Sequence, residues 1–182
     1  MNKTLITIVT FLLCLSLAFS RNKYEIEELR VIFYSAIQND DKMDDFRNKL
    51  LRVFGEYNTK IEPLGIAYWG IYHTLIAKHS YNPYTKLKEL KKGLDIIDQA
   101  IQKDKKNLEI RFLRFSVLHH IPDFLGYNDE KKDDAQAILD LLKSQDFSKL
   151  DFKFQKGIAE FMIKSNRINQ QSVQDLTNIY LK

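Results

Sequence analysis

The sequence predicts an all-α protein of about eight antiparallel helices, paired as four helix-turn-helix hairpins. Apolar residues recur every three or four positions, as in Leu29, Ile32, Phe33, Ala36 and Ile37, and strand-like alternation is nearly absent. The chain has only six glycines and three prolines to interrupt this spacing. The connections between periodic segments are a few residues long, which forces consecutive helices to run antiparallel.

Local signals set the ends of the predicted helices. Pro63 and Pro83 suit the first turn of a helix, because the N–H that proline lacks would be unpaired there anyway. Pro122 lies just beyond the helix predicted to end at His120, and residues 172–175 (SVQD) have the form of a capping box that starts the last helix. The predicted helices span residues 24–38, 41–58, 63–79, 83–104, 108–120, 129–144, 149–164 and 172–181.

The first twenty residues, MNKTLITIVTFLLCLSLAFS, have the layout of a secretory signal peptide. Lys3 precedes seventeen uncharged residues, and the run ends in the small-residue pattern AFS. An uncleaved membrane anchor is the alternative, because seventeen residues touch the lower limit for a spanning helix. Cys14 follows two leucines, unlike the cysteine of a lipoprotein, which a small residue normally precedes. We therefore expect export to the periplasm or cell envelope of a gram-negative bacterium, or secretion.

Residues 21–182 are predicted to form a single domain. With residues 1–20 removed, including the only cysteine and Lys3, the chain has 162 residues and a formal charge of +3. No disulfide is then available, but a chain of this size buries enough surface for one core. We expect the small positive excess to be spread along the chain, since no basic arm stands out, and nucleic acid is not an expected partner.

A segment of the chain repeats at an interval of about 40 residues. LEIRFLRF at 108–115 has a counterpart in LDFKFQKG at 150–157, shifted by 42 residues, and a weaker copy in LGIAYWGI at 64–71. An interval of this length between helix pairs is typical of repeat arrays, in which each pair covers the apolar side of the next. Chance similarity among amphipathic helices is the alternative.

The run Gly93 to Arg114, GLDIIDQAIQKDKKNLEIRFLR, resembles the junction of two tetratricopeptide repeats. Gly93, Ile97 and Ala100 stand at the small, large and small positions of a second helix. Asp104 stands where the acidic residue before the usual proline falls. The resemblance implies a tetratricopeptide-like array whose first helices line a concave surface.

The chain departs from that pattern in two places. Lys105 replaces the usual proline, and the 23 residues from Gly70 to Gly93 exceed the usual separation by about three helical turns. The combination NPYTKL, RFLRF and PDFLGY is also similar to an uncharacterised group of exported all-helical bacterial proteins. That second likeness implies no activity.

A row of basic residues is the main candidate for binding a partner. Arg111 and Arg114 project on one side of their helix, and the 42-residue shift places Lys153 and Lys156 on the same side of the matching helix. Such a row can hold a carboxylate or an acidic peptide, and arginine does so with two parallel hydrogen bonds. The alternative is that each basic residue pairs with a carboxylate on the neighbouring hairpin, such as Glu109, Asp133, Asp134 or Glu160.

Tyr68, Trp69 and Tyr72 are candidate apolar contacts for the same partner. Together with Tyr81 and Tyr84 they form the densest aromatic group of the sequence, which is also able to floor a ligand pocket. The alternative is that aromatic residues at helical spacing belong to the core.

The histidines and acidic pairs give little support to a metal site or an enzyme. His119 and His120 are adjacent and diverge by about 100 degrees on a helix, whereas metal ligands usually sit four apart. The acidic pairs 44–45 and 133–134 are placed in first turns of predicted helices, where the helix dipole favours negative charge. The sequence has no phosphate-binding glycine loop, nucleophile elbow or C-x-x-C, so we expect neither metal nor other cofactor.

These observations together predict an exported, non-catalytic helical-repeat module that binds a protein or an acidic, extended peptide. A small-molecule-binding protein, or an enzyme with a pocket between hairpins built from the same aromatics, arginines and histidines, is the second hypothesis. An enclosed pocket with convergent polar groups favours the second hypothesis, and an open groove favours the first. A purely structural spacer is the third. A membrane partner is expected only if the N-terminal segment stays uncleaved, and the sequence does not predict an oligomeric state.

Overall fold

The computed structural model describes residues 23–148 and 150–182, and in those parts the chain is all-α without a strand, so the predicted fold class is confirmed. The predicted signal segment lies outside the described residues. Among the helices of the described part, none is long and apolar enough to cross a membrane. The helices are residues 23–38 (α1), Met43–Phe54 (α2), Pro63–His79 (α3), Pro83–Lys103 (α4), Leu108–His119 (α5), Asn128–Ser144 (α6), Phe152–Lys164 (α7) and Gln170–Tyr180 (α8).

The chain divides after Ile61 into two compact units, an N-terminal unit and a C-terminal unit that begins at Glu62. In the N-terminal unit, α1 and α2 are joined by a single 3-10 turn and pack through the rings of Phe33 and Phe46, whose centroids lie 5.8 Å apart. Lys49 of α2 is buried and forms ion pairs with Glu25 and Glu28 of α1. Burial alone would lower the pKa of Lys49, but hydrogen bonds and charge from the two glutamates raise it.

The C-terminal unit is a succession of three helix pairs, α3 with α4, α5 with α6, and α7 with α8. Consecutive pairs also pack on each other, because α5 contacts both α3 and α4, and α6 contacts both α7 and α8. An apolar cluster joins the last two pairs and includes Phe115, Ile138, Met162, Leu176 and Tyr180. Since each pair covers the apolar side of its neighbour, the unit needs no disulfide to close its core.

Two glycines allow α3 and α4 to approach closely. A Cβ atom on Gly70 would lie 2.7 Å from the carbonyl oxygen of Gly93 and 2.5 Å from Cγ1 of Ile97. A Cβ atom on Gly93 would lie 2.6 Å from the carbonyl oxygen of Gly70 and 2.9 Å from the backbone nitrogen of Thr74. Because only glycine leaves room for backbone at these distances, the pair fixes where the two helices cross.

Several helix ends differ from the prediction by one to four residues, and single residues explain three of the differences. Helix α2 ends at Phe54 because Gly55 adopts a φ of 77°, in the left-handed region. Helix α7 begins at Phe152 because Asp151 caps it, its carboxylate accepting from the backbone N–H of Phe154 at 2.9 Å. The predicted capping box at 172–175 is wrong, since Asn169 caps α8 by accepting from the N–H of Ser172 at 2.8 Å.

Candidate functional site

Arg114 and Asp134 form a two-point ion pair between α5 and α6. Nε of Arg114 donates to Oδ2 of Asp134 at 2.7 Å, and Nη2 donates to Oδ1 at 2.9 Å. The side chain of Asp134 is 0% exposed and that of Arg114 is 8% exposed. Asp134 is therefore a buried partner of α5 and not a residue of a first turn, because α6 already begins at Asn128.

Two further ion pairs extend this arrangement into a polar cluster across three helices. Nη1 of Arg111 donates to Oδ1 of Asp134 at 2.8 Å, and Nη1 of Arg114 donates to Asp98 of α4 at 2.9 Å. Burial alone would lower the pKa of Arg114, but the hydrogen bonds and charge of Asp134, with help from Asp98 and Glu130, raise it. The guanidinium thus stays charged inside the unit, and the cluster fixes α5 against both α4 and α6.

The salt-bridge alternative for the two arginines is the arrangement that the structure shows. Both guanidinium groups direct their hydrogen bonds to carboxylates of the chain itself, and Nε of Arg111 also donates to the carbonyl oxygen of Lys105 at 3.1 Å. Binding of a partner by Arg111 and Arg114 stays a prediction. Arg111 is the less buried of the two, with 15% of its side chain exposed.

Lys153 and Lys156 have surroundings unlike those of the arginines. Lys153 is exposed, Lys156 is half-buried, and neither makes an ion pair with any residue in 23–148 or 150–182. The capping residues Asn107 and Asp151 lie 44 positions apart, whereas the sequence similarity predicts a shift of 42. Counted from the caps, the arginine positions of α5 correspond to Gln155 and Ile158 of α7, both of which are buried.

Gln155 occupies a polar position of the core that sequence reasoning missed. Its Nε2 donates to the carbonyl oxygens of Asp146 and Leu150 at 2.6 and 2.8 Å. The Tyr180 hydroxyl shares its hydrogen between the carbonyl oxygen of Leu142 at 2.7 Å and Oε1 of Gln155 at 2.9 Å. Burial raises the pKa of Tyr180. No signal around LDFKFQKG distinguishes this buried glutamine from an exposed one, because its partners are mostly backbone carbonyls.

The three aromatic candidates on α3 lie mostly in the interior. Tyr68 and Trp69 are 1% and 6% exposed, and Tyr72 is half-buried with its ring edge-on to that of Trp69 at 5.7 Å. The hydroxyl of Tyr68 donates to Oε1 of Glu109 at 2.7 Å, which ties α3 to α5. Of the three residues, Tyr72 therefore has the most exposed surface for contact with a partner.

His119 lies in a group of rings at the C-terminal end of α5. Its ring centroid is 5.5 Å from that of Phe161 and 5.1 Å from that of His120, both in edge-on contact. Nδ1 of His119 is buried without a hydrogen-bond partner. Burial lowers the pKa of His119, and the charges of His120, Arg167 and Lys131 lower it further. The ring is therefore a neutral packing element at pH 7.

Another half-buried histidine joins the two long helices, α3 and α4. Nδ1 of His73 on α3 lies 2.7 Å from Oε2 of Glu89 on α4. Burial lowers the pKa of His73 and outweighs the hydrogen bond that His73 donates to Glu89, which raises it. A group of three or more His, Cys, Asp or Glu side chains suited to a metal ion is absent from the described residues.

An open groove of about 630 Å³ lies on the N-terminal unit, between α1 and α2. Its lining residues are Ile32, Asp45, Asn48, Leu51 and Arg52. None of the aromatic, histidine or arginine residues proposed for an enclosed pocket lines this groove.

Comparison with known proteins returns no match, since no family model, no curated protein and no solved structure matches this chain.

Proposed function

We propose that this chain is an exported, non-catalytic helical-repeat module that binds a protein or an extended acidic peptide in the cell envelope of a gram-negative bacterium. The observation that carries the proposal is the succession of helix pairs over residues 62–182, each packed on the next. Such arrays present long surfaces built from successive helices, which suit extended partners better than small ligands. Export rests on the signal-peptide layout of residues 1–20.

A tetratricopeptide-like architecture is the finer part of the proposal. The positions that carry the resemblance, Gly93, Ile97 and Ala100, are all buried on α4. Gly93 meets Gly70 backbone to backbone, as expected for the small residues of a helix pair that must cross closely. These contacts support the resemblance on α4, where the sequence pattern is clearest.

Within the predicted basic row, Lys153 and Lys156 are better placed than Arg111 and Arg114 to hold an acidic partner. Their ammonium groups have no carboxylate of the described chain to neutralise them, whereas the guanidinium groups of Arg111 and Arg114 do. A partner carboxylate therefore gains more from the lysines, since it does not compete with an existing buried pair. Arg111 and Tyr72 lie partly exposed and are proposed as secondary contacts.

The test is capture of a partner from a detergent-solubilised envelope fraction by the tagged protein. We expect one co-eluting protein to be lost with Lys153→Glu/Lys156→Glu. It should be retained with Lys88→Glu/Lys91→Glu, a pair with the same spacing and the same change of charge on α4. Equal recovery with both double variants would exclude the α7 lysines as the binding site. A protein that never enters the envelope fraction would contradict export.

The small-molecule alternative has less support from the shape of the observed cavity. The groove on α1 and α2 is open, and its wall carries Asp45 and Arg52 without converging polar groups from other helices. Open, mixed-charge grooves suit a chain segment better than a small ligand, which needs most of its surface enclosed.

A further inference from the structure

The positive excess of the chain is concentrated in one short segment and is not spread along the sequence. Residues 81–92 contain Lys86, Lys88, Lys91 and Lys92 with the single acid Glu89, a formal charge of +3. Acidic and basic side chains are equal in number in residues 21–80, and again in residues 93–182. The whole excess of residues 21–182 therefore lies at the start of α4.

This segment is also the most exposed part of α4. None of the residues from Pro83 to Lys92 is buried, and the buried positions of the helix begin only at Gly93. Because Gly93 crosses Gly70, the first turns of α4 extend past the crossing point toward the connection at Ser80. Residues 81–92 thus form the outer end of the α3–α4 hairpin, which we call the α4 tip.

Apolar and basic side chains share one face of the α4 tip. Leu87 and Lys88 lie three and four residues after Tyr84, and Lys91 lies four and three residues after them, so the four side chains project on the same side of the helix. Tyr84 is 77% exposed and Leu87 is 54% exposed, while Tyr81 just before the helix is fully exposed. The four lysines make no ion pair with any of the described residues.

We propose that the α4 tip docks on the surface of an anionic phospholipid bilayer. Clustered lysines are attracted to anionic headgroups by charge alone, without the fixed geometry with which arginine recognises single carboxylates. Tyrosine places an apolar body and a polar hydroxyl at the level of the headgroups, where it is enriched in membrane proteins. The exposed side chains of Tyr84 and Leu87 also favour a bilayer over an acidic peptide, because the headgroup region takes up apolar groups beside the basic ones. This docking site is separate from the proposed partner site on α7.

The experiment uses Tyr84→Trp as a fluorescent reporter. The protein is produced in a gram-negative host, so that every variant has the same N-terminus. Emission is recorded with vesicles of brominated phosphatidylglycerol and phosphatidylethanolamine, and with brominated phosphatidylcholine as the neutral case. Trp69 is 6% exposed, and its signal in the protein without the reporter is subtracted. We expect a blue shift and quenching with the anionic vesicles only, reversed by high salt.

Two double variants in the reporter background complete the test. Lys88→Glu/Lys91→Glu should weaken the quenching titration about tenfold or more, since each lysine near an anionic surface contributes about fivefold to binding. Lys153→Glu/Lys156→Glu, with the same spacing and charge change, should leave it within about twofold. Equal quenching by neutral and anionic vesicles, or none, would overturn the proposal. Binding of polyglutamate with no quenching by vesicles would also overturn it and assign the α4 tip to an acidic protein.

Discussion

Arg114 donates two hydrogen bonds to the fully buried carboxylate of Asp134, and the same carboxylate accepts a third from Arg111. One acidic side chain thus pairs with two guanidinium groups at the junction of α5 and α6. Breaking such a pair from one side is far more costly than replacing both partners, because the remaining charge stays buried without compensation. The stability of the fold therefore depends on Asp134 more than the position of this residue in an acidic stretch of the sequence suggests.

Asp134→Ala should lower the free energy of unfolding by about 3–5 kcal/mol, since it leaves Arg114 buried with only Asp98 as a partner. Urea unfolding followed by circular dichroism measures the change. Asp133→Ala is the matched control, because Asp133 is exposed next to it on α6 and should cost less than about 0.5 kcal/mol. Equal losses for the two variants would show that the buried pair does not hold α5 against α6.

Gly93→Ala should destabilise the C-terminal unit by about 1–3 kcal/mol, because the added methyl group meets the backbone of α3 at 2.6 Å and α3 must move away. Thermal unfolding reports the loss. Gly157→Ala is the control, because it should change stability in the opposite direction. Its Cβ meets nothing within 4 Å, so the better helix former should raise stability by up to about 1 kcal/mol. A gain in both variants would mean that α3 and α4 do not cross at Gly70 and Gly93.

Much of the fold follows from sequence, and the residues that follow least are those whose partners lie far along the chain. Helices α3 and α4 begin at Pro63 and Pro83 as predicted, because proline is local in its effect. The register of α7 against α5 was not predictable from similarity, since one capping residue, Asp151, shifts it by two positions. A capping hydrogen bond is a local contact, but its choice among Asp, Asn and Ser depends on where tertiary packing starts the helix.

In the candidate site, too, some features are predictable from the sequence and others are not. The salt-bridge alternative correctly pairs Arg111 and Arg114 with Asp134, but this carboxylate lies on the second helix of the same hairpin and not on a neighbouring one. Spacing alone does not tell a buried ion pair from an exposed row of charge, because both need basic residues three apart. The α4 tip differs from the rest of the chain because its net positive charge coincides with the exposed part of α4.

Tyr180→Phe should lower stability by about 1–3 kcal/mol, because Oε1 of Gln155 and the carbonyl of Leu142 then lose the hydroxyl inside a closed core. Loss of the same hydroxyl at an exposed position costs little. Tyr84→Phe, on the 77% exposed side chain of α4, should change stability by less than about 0.5 kcal/mol. Denaturant unfolding of both variants gives the comparison, and a neutral Tyr180→Phe would show that water replaces the hydroxyl and that α8 is open at its C-terminal end.

Protonation of His119 should destabilise the fold as the pH falls. Burial lowers its pKa in the folded protein below the ordinary value of 6.5, so the unfolded chain binds the proton first. The stabilising contribution of the neutral ring is complete above about 6.5 and declines as the pH falls from there toward the folded pKa. His73, whose pKa is lowered by burial too, contributes in the same direction.

The variant His119→Phe separates the contribution of His119 to the pH dependence from that of His73. Phenylalanine keeps the ring contacts with Phe115 and Phe161 and removes the buried Nδ1 that has no hydrogen-bond partner. The variant should be more stable than the parent by about 1 kcal/mol at neutral pH, because a buried polar atom without a partner is costly. Its free energy of unfolding should also fall less between about pH 7.5 and pH 5.5, where histidine titrates in the unfolded chain. An unchanged pH dependence, measured by urea unfolding at each pH, would mean that His119 is protonated equally in the folded and unfolded chain and that its ring position is open to water.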